Sequence, residues 1–143
     1  MSAVVVERVV AAGDEVMDAV VRLLPQLSGS AVADPAVVRS VVASASTSLF
    51  VARLDGRIVG MASLVVYPLV TGVRGHVDDV VVDEGARGHG CARALLLRLI
   101  DEAERSGVRS LELTSRPSRE AAIALYESVG FVRRETGVFR YAG

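Results

Sequence analysis

The apolar and polar positions alternate with two different periods along the chain, and the two periods divide it into strands and helices. Val-rich stretches bounded by turn residues are typical of strands, whereas apolar residues three and four positions apart are typical of helices. The predicted strands cover residues 3–10, 48–53, 57–67, 76–82 and 111–114, with one or two more over 131–141. The predicted helices start at Asp14 and at Asp34-Pro35 and cover about 91–106 and 118–128.

Turn residues support these boundaries. Asp55-Gly56 between two apolar runs predicts a hairpin. Pro25 predicts a break after the first helix, and Gly72 and Gly75 predict a loop after Pro68. The order combines hairpins with strand–helix–strand units, so we expect a mixed α/β fold with one sheet covered by helices.

Length and composition narrow the class of protein. The chain has 143 residues, is 51% hydrophobic and carries a net charge of −1, so we expect one globular domain over residues 1–143. The absence of a basic excess argues against a general nucleic-acid-binding protein. All 16 basic residues are arginines and there is no lysine, a composition typical of a GC-rich bacterial genome.

Several kinds of site and location are disfavoured. The lone Cys91 permits neither an intramolecular disulfide nor a cysteine-based zinc cluster, and His76 and His89 are isolated, so no metal is expected. No apolar run reaches the roughly 18 residues of a membrane span, and the N-terminus lacks a basic region before its apolar stretch. We therefore expect a cytoplasmic protein without a membrane partner.

The segment from Val80 to Ala92 has the pattern of an anion-binding turn. A buried strand leads through Arg87-Gly88-His89-Gly90 into a helix, whose first amides lack intrahelical acceptors and carry partial positive charge. Such a loop suits a pyrophosphate. It is neither a P-loop nor the three-glycine dinucleotide motif, and glycines here would equally fit a plain strand-to-helix turn.

A second segment makes the functional prediction more specific. Residues 120–131 read EAAIALYESVGF, a short helix followed by a glycine stop and an aromatic residue. Together with RGHGCA at 87–92, this segment resembles the two motifs of the GNAT superfamily of acyl-CoA-dependent N-acyltransferases. The element order also matches that family over nearly the whole chain. Two positions depart from the pattern, because Glu84 stands where a proline is usual and Arg119 where an asparagine is usual.

The resemblance implies a fold and a cosubstrate. The fold is a mixed, mostly antiparallel sheet of about six to seven strands flanked by about four helices. The cosubstrate is acetyl-CoA, with the pantetheine arm paired like an extra strand and the pyrophosphate held by loop amides. The implied cofactor-binding residues are Val80, Val81, Val82, Arg87, Gly88, His89, Gly90, Cys91, Ala92 and Arg93. Cys91 is interpreted as a small residue at the helix start, not as a nucleophile.

The resemblance also implies the catalytic groups. Tyr126 is the candidate proton donor to the departing thiolate, a role that a phenol can perform. The candidate bases are Asp78 and Asp79, within a strand that resembles that of glucosamine-phosphate acetyltransferases and of many other family members. Strand alternation places His76, Asp78, Val80 and Val82 on one face and Val77, Asp79 and Val81 on the other, unless a bulge intervenes. Asp78 is favoured, with Asp79 as the alternative.

The sequence therefore predicts an N-acetyltransferase that moves an acetyl group from acetyl-CoA to a primary amine. The acceptor is expected to be a small molecule, and the oxyanion would meet strand amides near Val80. Two alternatives are a non-catalytic acyl-CoA sensor and a protein N-terminal acetyltransferase. A homodimer is compatible with the sequence, although nothing in it requires one.

Overall fold

The computed structural model describes residues 3–143. The five strands are β1 (Val4–Arg8), β2 (Thr47–Leu54), β3 (Arg57–Leu69), β4 (Gly72–Val82) and β5 (Ser110–Glu112). The four helices are α1 (Asp14–Leu27), α2 (Pro35–Ala43), α3 (Cys91–Arg105) and α4 (Glu120–Ser128), with a 3-10 turn at Glu84–Ala86. No helix within residues 3–143 is both long enough and apolar enough to cross a membrane.

The sheet has the order β1-β2-β3-β4-β5, with antiparallel neighbours except for the parallel pair β4–β5. The predicted mixed, mostly antiparallel sheet is confirmed. The predicted strand count of six to seven is wrong, because the described chain forms five strands and Phe131–Tyr141 forms none. The pattern over 131–141 suits a strand, but none of these residues pairs with β5 or with another strand of the sheet. Its apolar side chains, such as Phe139 and Tyr141, are exposed.

Two predicted breaks are absent. α1 continues through Pro25 to Leu27, because a proline in the last turn removes only one backbone bond, and Ser28 N still donates to Leu24 O. The predicted loop after Pro68 is a tight turn at Val70-Thr71 that joins β3 directly to β4. The Asp55-Gly56 hairpin is confirmed, with positive φ at both residues.

The sheet separates two apolar layers. Phe50, Ala52 and Leu64 belong to the layer that includes Leu95, Leu96 and Leu99 of α3. Leu49, Val51 and Met61 belong to the layer that includes Ala19, Val20 and Leu23 of α1, with α2 packed beside it. Alternation along β2 and β3 therefore defines an α3 face and an α1–α2 face of the sheet.

Gly60 marks the closest approach between β3 and its neighbours. A Cβ at this position would lie 3.1 Å from the carbonyl oxygen of Val81 and 3.3 Å from a methyl group of Leu95. Both distances are tighter than ordinary van der Waals contact, and the backbone oxygen cannot move without disturbing the β3–β4 pairing.

We expect Gly60→Ala to lower the free energy of unfolding by about 1–3 kcal/mol through overpacking. Urea unfolding measures this, with Gly29→Ala as the control because a Cβ there meets nothing within 4 Å. Equal stability of the two variants would contradict the packing described.

Candidate active site

β4 contains a bulge at the predicted acidic pair. Ser63 pairs with Asp78 but Met61 pairs with Val81, so one extra residue lies in β4 between these two pairs. Asp79 has a φ of +54°, a left-handed conformation that is uncommon outside glycine. The bulge reverses the alternation, since Val77 and Val82 both join the α3 layer while Val81 joins the α1 layer.

This reversal corrects part of the sequence interpretation. His76 and Asp78 do share a face, with 3.9 Å between His76 Nε2 and Asp78 Oδ2. Val80, however, packs against the α3 layer, as Val82 does, so neither valine shares the face of Asp78. Simple alternation fails because the extra residue shifts every later side chain by one position.

The two carboxyl groups of the bulge influence each other. Asp78 Oδ1 accepts a hydrogen bond of 2.9 Å from the backbone N–H of Asp79. The pKa of Asp79 is raised, first because surrounding protein desolvates its carboxylate and second because Asp78 carries like charge nearby. The Asp79 residue as a whole is solvent-exposed, and its carboxylate binds a proton more readily than that of an ordinary aspartate.

β4 and β5 diverge immediately before the bulge. They pair only at Arg74–Ser110, Gly75–Leu111 and His76–Glu112, so within the described chain β5 leaves the edge of β4 from Val77 onward unpaired. The β4 backbone groups beside the bulge therefore have no strand partner on this edge. An extended ligand could add to such an edge as a strand does.

Glu112 is a candidate residue that the sequence interpretation missed. It is exposed, ends β5 and lies opposite His76 in the last β4–β5 pair. Its neighbours Leu111 and Leu113 pack against the α3 layer, so alternation places Glu112 on the same face as His76 and Asp78. The apolar–acidic–apolar pattern of residues 111–113 indicates that Glu112 points away from the core. Only the strand pairing shows that Glu112 lies opposite His76.

The loop after β4 has the geometry expected of an anion site. Gly88 and Gly90 have φ values of +86° and +79°, conformations that favour glycine. The first helical bond of α3 runs from Ala94 N to Gly90 O, so the amides of Cys91, Ala92 and Arg93 have no intrahelical acceptor. The first turn of α3 carries no acidic residue and no side-chain cap, which leaves the positive end of the helix available.

The side chains of this loop have distinct environments. Arg87 is exposed, whereas Arg93 Nη1 donates to Ser128 Oγ of α4 at 3.0 Å. His89 Nδ1 lies 3.1 Å from the carbonyl oxygen of Ala86. Cys91 is 2% exposed within the α3 layer, and burial raises the pKa of its thiol, a poor setting for a nucleophile. Among residues 3–143, no group of three His, Cys, Asp or Glu side chains could hold a metal.

α1 anchors the start of the loop. Asp83 accepts hydrogen bonds of 3.2 Å from Arg22 Nε and from Gln26 Nε2, one on each carboxylate oxygen. Gln26 Oε1 accepts from the backbone N–H of Glu84 at 2.9 Å, and Arg22 also donates to the carbonyl oxygen of Ile58. The end of β4 is therefore held from the α1–α2 side before the chain turns toward the glycines.

Tyr126 lies on α4, on the opposite side of the sheet from α1. Its half-buried ring packs against the α3 layer, as does Val80, and it meets the ring of Phe131 edge-on with 6.4 Å between centroids. Arg119, at the position where the resembling family has an asparagine, precedes α4 and makes no side-chain cap. The structure thus places Tyr126, Val80 and the start of α3 around one apolar layer.

Comparison with known proteins agrees with this geometry. A model described as the Acetyltransferase (GNAT) family matches residues 17–131. The chain belongs to the GNAT acetyltransferase family. The match spans β4, the glycine loop and α4, which together carry the candidate site.

Two curated relatives and one solved structure illustrate the range of the GNAT family. The chain is 39% identical over 114 residues to glucosamine 6-phosphate N-acetyltransferase of Trypanosoma brucei brucei, covering 78% of this chain and 75% of that one. It is 53% identical over 53 residues to [ribosomal protein bS18]-alanine N-acetyltransferase of Escherichia coli K12, covering 37% and 36%. A crystal structure of a Trypanosoma brucei acetyltransferase superposes with a TM-score of 0.78 at 26% identity, covering 97% and 99%.

The raised pKa of Asp79 predicts a pH-dependent stability. A carboxyl whose pKa is raised by folding stabilises the fold fully below its ordinary value of 3.8, and that contribution is lost as pH rises through the raised value. We expect Asp79→Asn to melt at a higher temperature than the parent protein at pH 7, with the difference vanishing near pH 3.

Asp55→Asn is the matched control, because Asp55 has almost the same backbone conformation, with a φ of 52°, in an exposed turn. Thermal unfolding followed by circular dichroism across this pH range measures both variants. A pH-independent effect of Asp79→Asn, or an equal effect of Asp55→Asn, would contradict the assignment.

Proposed function

We propose that this GNAT protein transfers an acetyl group from acetyl-CoA to a primary amine. The observation that carries the proposal is the unpaired edge of β4 running from the acidic bulge directly into the glycine loop and the uncapped start of α3. One extended ligand with an anionic end and a reactive end would fit this sequence of features. Acetyl-CoA, with its pyrophosphate and its pantetheine thioester, has that form.

If acetyl-CoA lies along the β4 edge with its pyrophosphate at the glycine loop, the cofactor-binding residues can be assigned. Backbone groups of Val80, Val81 and Val82 would bind the pantetheine arm as an added strand. The amides from Gly88 to Arg93 would hold the pyrophosphate, and the exposed Arg87 adds charge beside it. These assignments rest on the unpaired β4 edge, the positive φ of both loop glycines and the helix amides without acceptors.

The Asp78–Asp79 pair would supply the base. The acceptor ammonium first loses a proton to a carboxylate of the pair, directly or through water. The raised pKa of Asp79 makes its carboxylate a stronger base than that of an ordinary aspartate. The neutral amine then attacks the thioester carbon, and the oxyanion meets strand amides near Val80.

Tyr126 would complete the transfer. As the tetrahedral intermediate collapses, the carbon–sulfur bond breaks and the phenol donates a proton to the sulfur of CoA. The ring is half-buried against the same apolar layer as Val80, which supports a position on the cofactor side. The second proton of the attacking amine restores the Tyr126 phenol, through solvent, leaving an amide and free CoA.

The relatives are named for glucosamine 6-phosphate and for an alanine of ribosomal protein bS18, so family membership leaves the acceptor open. We propose a small-molecule amine, and protein N-terminal acetylation is the second candidate because of the relative that modifies a ribosomal protein. Release of CoA thiol with a panel of amines, including a short peptide, tests both. Failure to bind acetyl-CoA in calorimetry would overturn the proposal, whereas binding without turnover would favour a sensor.

We expect Tyr126→Phe to lower kcat by about 10²-fold or more, because the thiolate would leave without a proton donor. KM for acetyl-CoA should change little, since the hydroxyl acts on the leaving group. Steady-state thiol release measures both constants. Tyr141→Phe is the control, because Tyr141 lies exposed in the C-terminal segment, and an equal loss in both variants would refute the role.

We expect Gly90→Ala to weaken acetyl-CoA binding by about tenfold, the equivalent of roughly 1–2 kcal/mol of strain at a positive φ. Gly85→Ala is the matched control in the same connection, because Gly85 has no positive φ and a Cβ there meets nothing within 4 Å. Isothermal titration with CoA measures both variants. Unchanged affinity in Gly90→Ala would contradict a pyrophosphate site at this loop.

A further inference from the structure

Two arginines surround the turn that precedes β4. Arg74 Nη2 donates to Thr71 Oγ1 at 2.8 Å, and Arg74 Nη1 donates to Ser110 Oγ at 3.1 Å. Arg109 Nη1 donates to the carbonyl oxygen of Thr71, and the Arg109 side chain packs over Gly72. Both guanidinium groups are therefore held within hydrogen-bond distance of one residue.

The positive charge of this pair is not balanced by the protein. Among the residues that the structure describes, no carboxylate oxygen lies within 4 Å of either guanidinium, and every partner is a hydroxyl or a carbonyl. The Nε of Arg74 is buried without a hydrogen-bond partner. Two positively charged groups that are both held against Thr71 by neutral partners favour an anion nearby.

The position of Arg74 relates this pair to the candidate active site. Arg74 lies two residues before His76 on β4, so alternation puts it on the face of His76 and Asp78, about 7 Å along the strand from His76. On β5, Ser110 pairs with Arg74 and Glu112 pairs with His76, so the two β5 residues are also two positions apart. One side of this surface is therefore cationic, and the side toward the bulge is acidic.

We propose, on the basis of the acetyl-transfer function above, that the acceptor is an amine that also carries an anionic group. Arg74, assisted by Arg109, binds a carboxylate or phosphate, while the amine extends toward Asp78, Asp79 and Glu112. Arg74 is thus a specificity-determining residue. A polycationic amine would place its additional positive charge against the arginine pair and is a poor acceptor.

The test uses acceptor pairs that differ only in the anionic group. Glucosamine 6-phosphate against glucosamine tests phosphate, and 4-aminobutyrate against its amide tests carboxylate. Calorimetry on the CoA-loaded protein gives affinities without requiring turnover, and thiol release gives kcat/KM. The variants are Arg74→Gln and Arg109→Gln, with Arg57→Gln as the control because Arg57 is exposed at the opposite end of β3.

We expect at least one anionic member to bind about tenfold or more tightly than its partner that lacks the anionic group, as charge-assisted hydrogen bonds allow. Arg74→Gln should remove that preference through KM while leaving CoA affinity unchanged, and Arg57→Gln should retain it. Equal binding of both members in both pairs, or tighter binding of a polycation such as spermidine, would overturn this inference. Binding preference without turnover would count against the proposed transfer only.

Discussion

The extra residue in β4 at Asp79 is the constraint on which the arrangement of the site depends. Without it, Val77 and Val82 would lie on opposite faces of the sheet, whereas both now pack in the α3 layer. The bulge also forces a carboxyl-bearing residue into a left-handed conformation beside a second carboxyl. Such strain persists only where surrounding structure holds it, here the long β3–β4 pairing on one side and the buried valines on the other.

The second constraint is the short β4–β5 contact. Three parallel pairs hold the two strands together, and the separation of the strands beyond them leaves backbone groups of β4 without a partner in the described chain. Unpaired edge groups usually favour aggregation, so natural sheets keep them short or covered. Here the unpaired edge leads to the glycine loop. The proposed function uses this edge as the place where the pantetheine arm of acetyl-CoA would bind.

Charge is distributed so that the two ends of the proposed reaction remain separate. The glycine loop and α3 start present amides and Arg87 for an anion, while the bulge and the end of β5 present carboxylates. Asp83 lies between them in the chain, but its carboxylate pairs with Arg22 and accepts a hydrogen bond from Gln26 of α1, so it anchors the loop with its charge balanced by Arg22. A net charge of −1 is thus compatible with strong local fields of both signs.

Much of the secondary structure of this protein is determined by local sequence. Three features depend on residues close in sequence: the helix starts at Asp14 and Asp34, the Asp55-Gly56 hairpin and the glycine loop before α3. They could therefore be predicted from the sequence, and the resemblance to the GNAT family depends on such local motifs. The sequence did not predict the absence of C-terminal strands, the continuation of α1 through Pro25 or the direction of each β4 side chain. A strand requires a partner elsewhere in the chain, and a bulge is defined by the register against another strand. For the same reason only the tertiary structure could bring Glu112 opposite His76 and place two arginines around Thr71.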